Sequence, residues 1–467
     1  MAQISSAPQV LLPTPTRREQ STRPATRRGK SYFIRTFGCQ MNEHDSERIA
    51  GLFEQDGMTA TDGYDTADVV YVNTCTIREN ADNRMYGNLG QLKAIKDENP
   101  SMLLVVGGCA AQKDREMVRM KAPWVDVVMG THNLDRVLDL IDHAEQWGPI
   151  TEVVDELQAM PSSLPVRREL EHSAWVTIQV GCNNTCTFCI VPSVRGVEVS
   201  RRPGDIVREV ERLAADGVVE VTLLGQNVDT YGRDLAIEGR RRPIFGDLLR
   251  RVGEVDGIRR VRFTSPHPND FREDVARAMA ETDAVCEQLH FPLQSGSNRI
   301  LAAMHRGYHR NKYMDRLSMA REIIPGLAVS TDIIVGFPGE TDEDFDQTME
   351  LVEQARFDQA FMFIFSSRPG TAAAAMTDDF VPADVIQERF NRLLETQNRI
   401  SGERNVEMVG TTVEVLSEGP SKKDSDVATT RTRTGKVVHV PGKYPSGSFL
   451  DVRIDEAAMH HLVGATA

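Results

Sequence analysis

The sequence predicts an α/β fold in three parts: an open parallel α/β domain, a central partial (β/α) barrel and a small antiparallel β-barrel. Three observations carry this prediction. From residue 31, apolar strand-like runs alternate with amphipathic helical stretches. After a linker the alternation resumes for six further units, and beyond residue 400 β-branched runs are separated by Gly and Pro. A chain of 467 residues exceeds one ordinary hydrophobic core, and its 40% hydrophobic and 26% charged residues match a globular protein. No apolar run approaches the roughly 18 residues that cross a bilayer, and the N-terminus lacks a secretory signal's apolar core. A cytoplasmic protein with no membrane partner is expected.

Residues 1–30 hold four Pro, six basic residues and one acidic residue, which predicts a disordered basic arm. The first domain is expected at 31–147, with strands at 31–36, 68–73 and 102–106 that end near Cys39, Cys75 and Cys109. These cysteines are 36 and 34 residues apart, close to the length of one βα unit. All three thiols should therefore lie at the carboxyl edge of one parallel sheet, where open α/β sheets bind ligands. A linker is expected at 148–167. The second domain, 168–398, has expected strands at 175–180, 220–224, 260–264, 287–291, 329–335 and 360–365, with helices such as 205–215 and 342–355 between them. A helix at 383–409 closes it. Expected strands at 411–416, 430–440 and 449–454 make 401–467 the small β-barrel. Along 430–440, Arg431 and Arg433 fall on one strand face, followed by Lys436. Such a face suits single-stranded nucleic acid; a charge-protected edge strand is the alternative.

Cys182, Cys186 and Cys189 place three thiols within eight residues, directly after the first strand of the second domain. In a long cytosolic chain, clustered thiols bind metal or do redox chemistry rather than form disulfides. A 4Fe-4S cube normally takes four thiolates, so three ligands with no fourth nearby leave one iron open. Structural zinc would need a second pair at matching distance, which is absent. Cys39, Cys75 and Cys109 sit beside small or polar neighbours such as Gly38, Thr74 and Gly108, which suits a second cluster better than buried structural cysteines. There the fourth position is open to a small sulfur species. Cys286 lacks a partner at ligand spacing and is expected to be structural.

The Cys-x3-Cys-x2-Cys spacing, with Phe188 before the last cysteine, resembles the radical S-adenosylmethionine superfamily. From residue 31 onward the chain resembles its methylthiotransferases. The resemblance rests on GCNNTCTFCIVP at 181–192, RG at 195–196, LGQNV at 224–228, TSPHP at 264–268, PLQSGS at 292–297 and DIIVGFPGE at 332–340, together with the three-cysteine first domain and the terminal β-barrel. Ser193 and Val194 stand where the commonest family form has an aromatic residue.

This resemblance implies a radical S-adenosylmethionine barrel, a TRAM-like RNA-binding β-barrel and two 4Fe-4S clusters. The cluster on Cys182, Cys186 and Cys189 would cleave S-adenosylmethionine into a radical. The cluster on Cys39, Cys75 and Cys109 would hold sulfur methylated by another S-adenosylmethionine, so two are used per turnover. Gly225, Gln226 and Asn227, after the second strand of the barrel, are candidate S-adenosylmethionine contacts, although Gly225 also reads as a tight turn. Gly336 to Glu340 follow the fifth strand, and Arg195 is left between anion pairing and ordinary solvation. The implied substrate is N(6)-isopentenyladenosine beside the anticodon of transfer RNA, methylthiolated at carbon 2. That C–H is too weakly acidic for a side-chain base, so a cofactor must supply hydrogen-atom chemistry. Implied partners are the tRNA anticodon loop, an electron donor such as flavodoxin or ferredoxin, and a sulfur donor or iron–sulfur carrier; a monomer suffices. With a net charge of −14, RNA must be gripped by local basic patches. The alternatives are family members acting on threonylcarbamoyl-adenosine or a ribosomal-protein aspartate, and a non-catalytic iron–sulfur protein that binds RNA or carries electrons.

Overall fold

The computed structural model describes residues 25–76, 79–155, 164–236, 239 and 241–467. Residues 1–24 of the expected arm and 156–163 of the expected linker lie outside the described residues. Within the rest of the arm, Arg27 is buried and paired with Asp56, Asp142 and Glu145, so the packed domain begins before residue 31.

The first domain is a six-stranded parallel sheet: β1 (Ser31–Phe37), β2 (Thr59–Ala60), β3 (Val69–Thr74), β4 (Leu103–Gly108), β5 (Val127–Met129) and β6 (Ile150–Glu152), in the order β2-β1-β3-β4-β5-β6. Both faces are covered. Val69 and Tyr71 pack with Ile49, Phe53 and Ile141, while Val70 and Val72 pack with Leu89, Leu104 and Val106 on the other side. Strands buried on both faces read as continuous apolar runs, which is why β3 and β4 were legible, whereas β1 is only half-buried and shows through its Tyr32, Phe33 and Ile34. The short outer strands β2, β5 and β6 carry weaker patterns, and β6 falls where a linker was expected.

The second domain has strands β7 (Ser173–Thr177), β8 (Gln179–Val180), β9 (Val199–Ser200), β10 (Glu220–Leu224), β11 (Arg260–Phe263), β12 (Gln288–His290), β13 (Ala328–Val335) and β14 (Gln359–Ile364). The expected strand 175–180 is divided, and its end forms an antiparallel pair of β8 with β9. Parallel sheets β7-β10-β11 and β12-β13-β14 are joined by the bridge Val261–Val285, and the bridge Gln294–Ile333 extends the pairing of β12 with β13. The result is an arc of six parallel strands. Among the described residues, no ladder closes β14 onto β7, so the barrel is partial. Helices cover its outside, where Val221, Leu223, Val261, Val329 and Ile333 join the largest hydrophobic cluster.

The third domain is a closed barrel of β15 (Thr412–Pro420), β16 (Val427–Thr432), β17 (Val437–Pro441), β18 (Phe449–Ala457) and β19 (Leu462–Thr466), around Val415, Val438, Val440, Val452, Ile454 and Leu462. Its β17–β19 pair is parallel, unlike the rest. The expected strand 430–440 is instead a hairpin, because Gly435 turns the chain at φ 84° and Thr432 and Lys436 close the turn. No helix among the described residues is long and apolar enough to cross a membrane.

The hairpin also overturns the expected nucleic-acid face. Its cations bind protein. Arg433 donates to Glu287 (2.8 Å) and to the Asp283 and Val285 carbonyls (2.9 and 2.8 Å); Arg431 pairs with Glu418 (2.6 Å) and Lys436 with Asp358 (3.1 Å). In return, Arg260 and Arg262 donate to the carbonyls of Arg431, Thr432 and Arg433 at 2.8–2.9 Å. A Cβ on Gly435 would lie 2.4 Å from the Gln288 amide nitrogen, so the turn is pressed against the barrel. Apart from Glu418, which lies on β15 of the small barrel itself, these partners stand at the amino ends of β11, β12 and β14. The small barrel therefore seals the amino edge of the arc. Replacing Arg433 with Ala should lower unfolding free energy by about 1–3 kcal/mol, the scale of charge-assisted hydrogen bonds. Chemical denaturation checks this, with exposed Arg453→Ala unchanged within about 0.5 kcal/mol.

Candidate functional site

The opposite, carboxyl edge carries the thiols. Cys39 precedes the helix Gln40–Gln55, Cys75 follows β3, and Cys109 opens the helix Cys109–Asp114 directly after β4. Because β1, β3 and β4 are neighbours in register, these three loops meet, and the Cys75 N–H donates to the Phe37 carbonyl at 2.7 Å. Cys75 and Cys109 are buried and Cys39 half-buried. A hydrogen bond from Cys75 pulls the Cys39 thiol down to about 6, with the Arg195 charge adding to the effect against burial. Burial raises Cys109.

Cys182, Cys186 and Cys189 occupy the loop after β8. Gly181 enters it at φ 82°, where a Cβ would lie 2.0 Å from the Val197 carbonyl oxygen. Only glycine fits this turn. The Gly181 N–H donates to the Gln226 side chain (2.6 Å), Cys182 N–H to the Gly196 carbonyl (3.1 Å), and Thr187 N–H to the Met304 carbonyl (3.1 Å). Arg306, almost fully buried, donates to Cys186 Sγ at 3.2 Å. Burial pushes Cys182 up to about 12 and Cys189 to about 11. The two thiol loops are adjacent: Cys109 packs against Ile190 and Val194. Arg368, from the loop after β14, donates to the Thr76 carbonyl at 2.7 Å beside Cys75.

Among the proposed S-adenosylmethionine contacts, Gly225 follows β10 without the positive φ of a tight turn; its constraint is space, since a Cβ would meet Val228 at 3.0 Å. Gln226 is half-buried and engaged with the cysteine loop. Asn227 is fully buried and donates to Asp270 at 2.9 Å, while its own oxygen lacks a hydrogen-bond partner. Gly336 donates to Glu340, whose carboxylate pairs with buried Arg389 at 3.0 Å, making 336–340 a braced turn. Cys286 is buried at the amino end of the arc, away from both loops.

Several residues at this edge were not among the expected site residues, although His267 lies within the TSPHP motif. Asp229, buried after β10, is pushed up to about 8 by burial and accepts the His267 N–H at 2.8 Å. His267 is held down to about 2 by burial and by the Arg306 and Lys312 charges, so its ring is neutral. Asp45, on the helix Gln40–Gln55, contacts Arg195 at 2.7 Å, both side chains 4% exposed. A charged triplet, His44, Asp45 and Arg48, on one helix was the available signal, and it reads equally well as a solvated face.

The donor sets fit iron–sulfur clusters. Each offers three thiols of low exposure with a guanidinium in attendance, Arg195 at one and Arg306 at the other. Arg195 Nη2 and Asp45 Oδ2 are buried without an aligned hydrogen-bond partner, which leaves an oriented polar pair beside Cys39 and Cys109. Among the described residues no three His, Cys, Asp or Glu side chains converge on one metal-ion position; a cube asks less, since each thiolate binds its own iron. Gly181→Ala should displace the loop and remove the iron bound through Cys182, Cys186 and Cys189, about half of the total if both sets are filled. Iron analysis after anaerobic reconstitution checks it.

Comparison with known proteins agrees with this architecture. Residues 31–130 match the uncharacterized protein family UPF0004, 176–352 the radical SAM superfamily and 406–465 the TRAM domain. The tRNA-2-methylthio-N(6)-dimethylallyladenosine synthase of Saccharopolyspora erythraea is 52% identical over 444 residues, covering 93% of this chain and 89% of that protein. The protein of the same name from Tropheryma whipplei is 53% identical over 443 residues, covering 94% and 93%. Among solved structures, the radical S-adenosylmethionine methyltransferase TsrM from Kitasatospora setae superposes with a TM-score of 0.54 at 13% identity, over 74% of this chain and 75% of that one, a likeness of fold alone. With that identity running through all three domains, the chain belongs to the tRNA-2-methylthio-N(6)-dimethylallyladenosine synthase family within the radical S-adenosylmethionine superfamily.

Proposed function

We propose that this protein converts N(6)-dimethylallyladenosine beside the anticodon of tRNA into its 2-methylthio derivative. Cys182, Cys186 and Cys189 hold one 4Fe-4S cluster, and Cys39, Cys75 and Cys109 hold a second. The observation that supports this reading is the packing of Cys109 against Ile190 and Val194, beside the loop of the other thiol set. Membership of the superfamily implies a 4Fe-4S cluster and S-adenosylmethionine. When bound, these supply the hydrogen-atom chemistry that an aromatic C–H requires.

The chain's own residues hold, orient and shield. Gly181 and Gln226 set the cysteine loop, with Gly225 and Gln226 bordering the S-adenosylmethionine pocket and Asn227 bracing it through Asp270. Inside the arc, His290 lies within 3.0 Å of Ser330 and 3.3 Å of Asp332, on the face opposite the helix-packed Val329 and Ile333. Phe361 pairs with Asp332 in register, is 43% exposed and meets the His290 ring edge-on. This aromatic and polar wall, with Phe361 exposed, suits a base splayed out of an anticodon loop. A low-potential electron donor such as flavodoxin or ferredoxin and a sulfur donor or iron–sulfur carrier complete the reaction.

RNA is gripped away from the hairpin. Lys422 and Lys423 stand exposed between β15 and β16, and the Lys423 charge reaches His439 on β17. Changing both lysines to Ala should weaken tRNA binding and reduce the salt slope of log affinity by about 1–2, measured by binding titration across salt concentrations. Nucleoside analysis of tRNA from cells lacking the protein tests the function itself: 2-methylthio-N(6)-dimethylallyladenosine should vanish and its unthiolated precursor accumulate. Unchanged levels would sink the assignment.

A further inference from the structure

The dipeptide Arg195-Gly196 touches both candidate cluster sites from one point of the chain. The Gly196 carbonyl accepts the Cys182 N–H at 3.1 Å, while the Arg195 side chain leaves its own domain and enters the first. There it meets Asp45 at 2.7 Å, and its position is fixed from the partner domain by Thr131, whose hydroxyl donates to the Val194 carbonyl at 2.7 Å. Val194 itself packs on Cys109. Burying a guanidinium is costly unless anions meet it. Asp45 supplies one such anion at 2.7 Å, and the neighbouring Val194 brings this chain segment onto Cys109. His132 and Tyr71 complete the surround, and each bears a buried polar atom without a hydrogen-bond partner.

One carboxylate would suffice for a structural ion pair. Here Asp45 contacts only part of a planar group with five N–H donors, and Nη2 is not aligned along a hydrogen bond to it. The chain segment that carries Arg195 packs on Cys109, so the remaining charge stands beside that thiol set. We propose that Arg195 is an interdomain positioning residue: anchored by Asp45, it supplies from the radical S-adenosylmethionine domain the positive charge that the sulfur-rich anionic group on Cys39, Cys75 and Cys109 requires. The site is then complete only when both domains are docked. The assignment rests on the two-cluster reading above.

Charge makes a signed prediction that packing does not. A nearby cation favours the more negative, reduced form of a cluster, and a nearby anion disfavours it. The test uses the anaerobically reconstituted full chain, with iron and sulfide counts and a redox titration followed by electron paramagnetic resonance. A Cys39, Cys75 and Cys109 triple-alanine variant identifies which wave belongs to this set. Arg195→Gln should move that wave to lower potential or lose that cluster's iron, whereas Asp45→Asn should move it to higher potential. Arg195→Lys should restore cluster occupancy and most of the potential. The wave of the Cys182 set should stay in place in all three. Shifts of the same sign in Arg195→Gln and Asp45→Asn, or no shift in either, would overturn the assignment in favour of a purely structural ion pair. A wild-type chain with iron for one cube only would overturn the two-cluster reading, and this assignment with it; that result is distinguished by its appearance before any substitution.

Discussion

A guanidinium removed from water between two domains has to find its counter-charges on the far side of the interface, and Arg195 finds them on the helix Gln40–Gln55 and among the cysteine loops beyond it. This makes the relative placement of the domains a matter of charge as well as area. A shift of either domain that broke the 2.7 Å contact with Asp45 would strand two charges in a region of 4% exposure. The same chain segment fixes Cys182 through Gly196. The thiol sets therefore inherit their spacing from a two-residue link rather than from a flexible linker.

The molecule separates its two ends by the polarity of its parallel strands. Every cysteine considered for a cluster lies at the carboxyl edges, in a loop or, for Cys109, at the first residue of a helix, where helix N-termini and loop N–H groups gather. The amino edges are closed by the third domain, whose hairpin offers carbonyls to Arg260 and Arg262 and receives Glu287 on Arg433. This exchange is reciprocal: each partner satisfies polar groups the other would otherwise bury unpaired. One end is thus sealed and the other covered by the first domain, while the end strands β14 and β7 share no ladder among the described residues.

Much of this was legible in the residues. The strands β3 and β4 are apolar runs buried on both faces, β10 is buried along its length, and the cysteines mark the loops that follow their strands. Outer strands such as β2 and β6 were not legible, since two or three residues at a sheet edge carry no period. The strand expected at 430–440 was misread because alternating Arg and Thr looks the same on a solvated face and on one docked against protein. Gly435 was the signal for the turn.

The fold class, the order of the three domains and the two sets of thiols follow from the residues in order, because local periodicity and cysteine spacing are properties of the chain. Only the tertiary structure decided which charges face which. Asp45 and Arg195 are 150 residues apart, as are Glu287 and Arg433 within a few residues, and nothing local marks either pair. Their meaning is electrostatic, and electrostatics in a buried site depends on distance in space. That is why Arg195, ambiguous as a lone residue between anion pairing and solvation, becomes interpretable once a second domain closes over it.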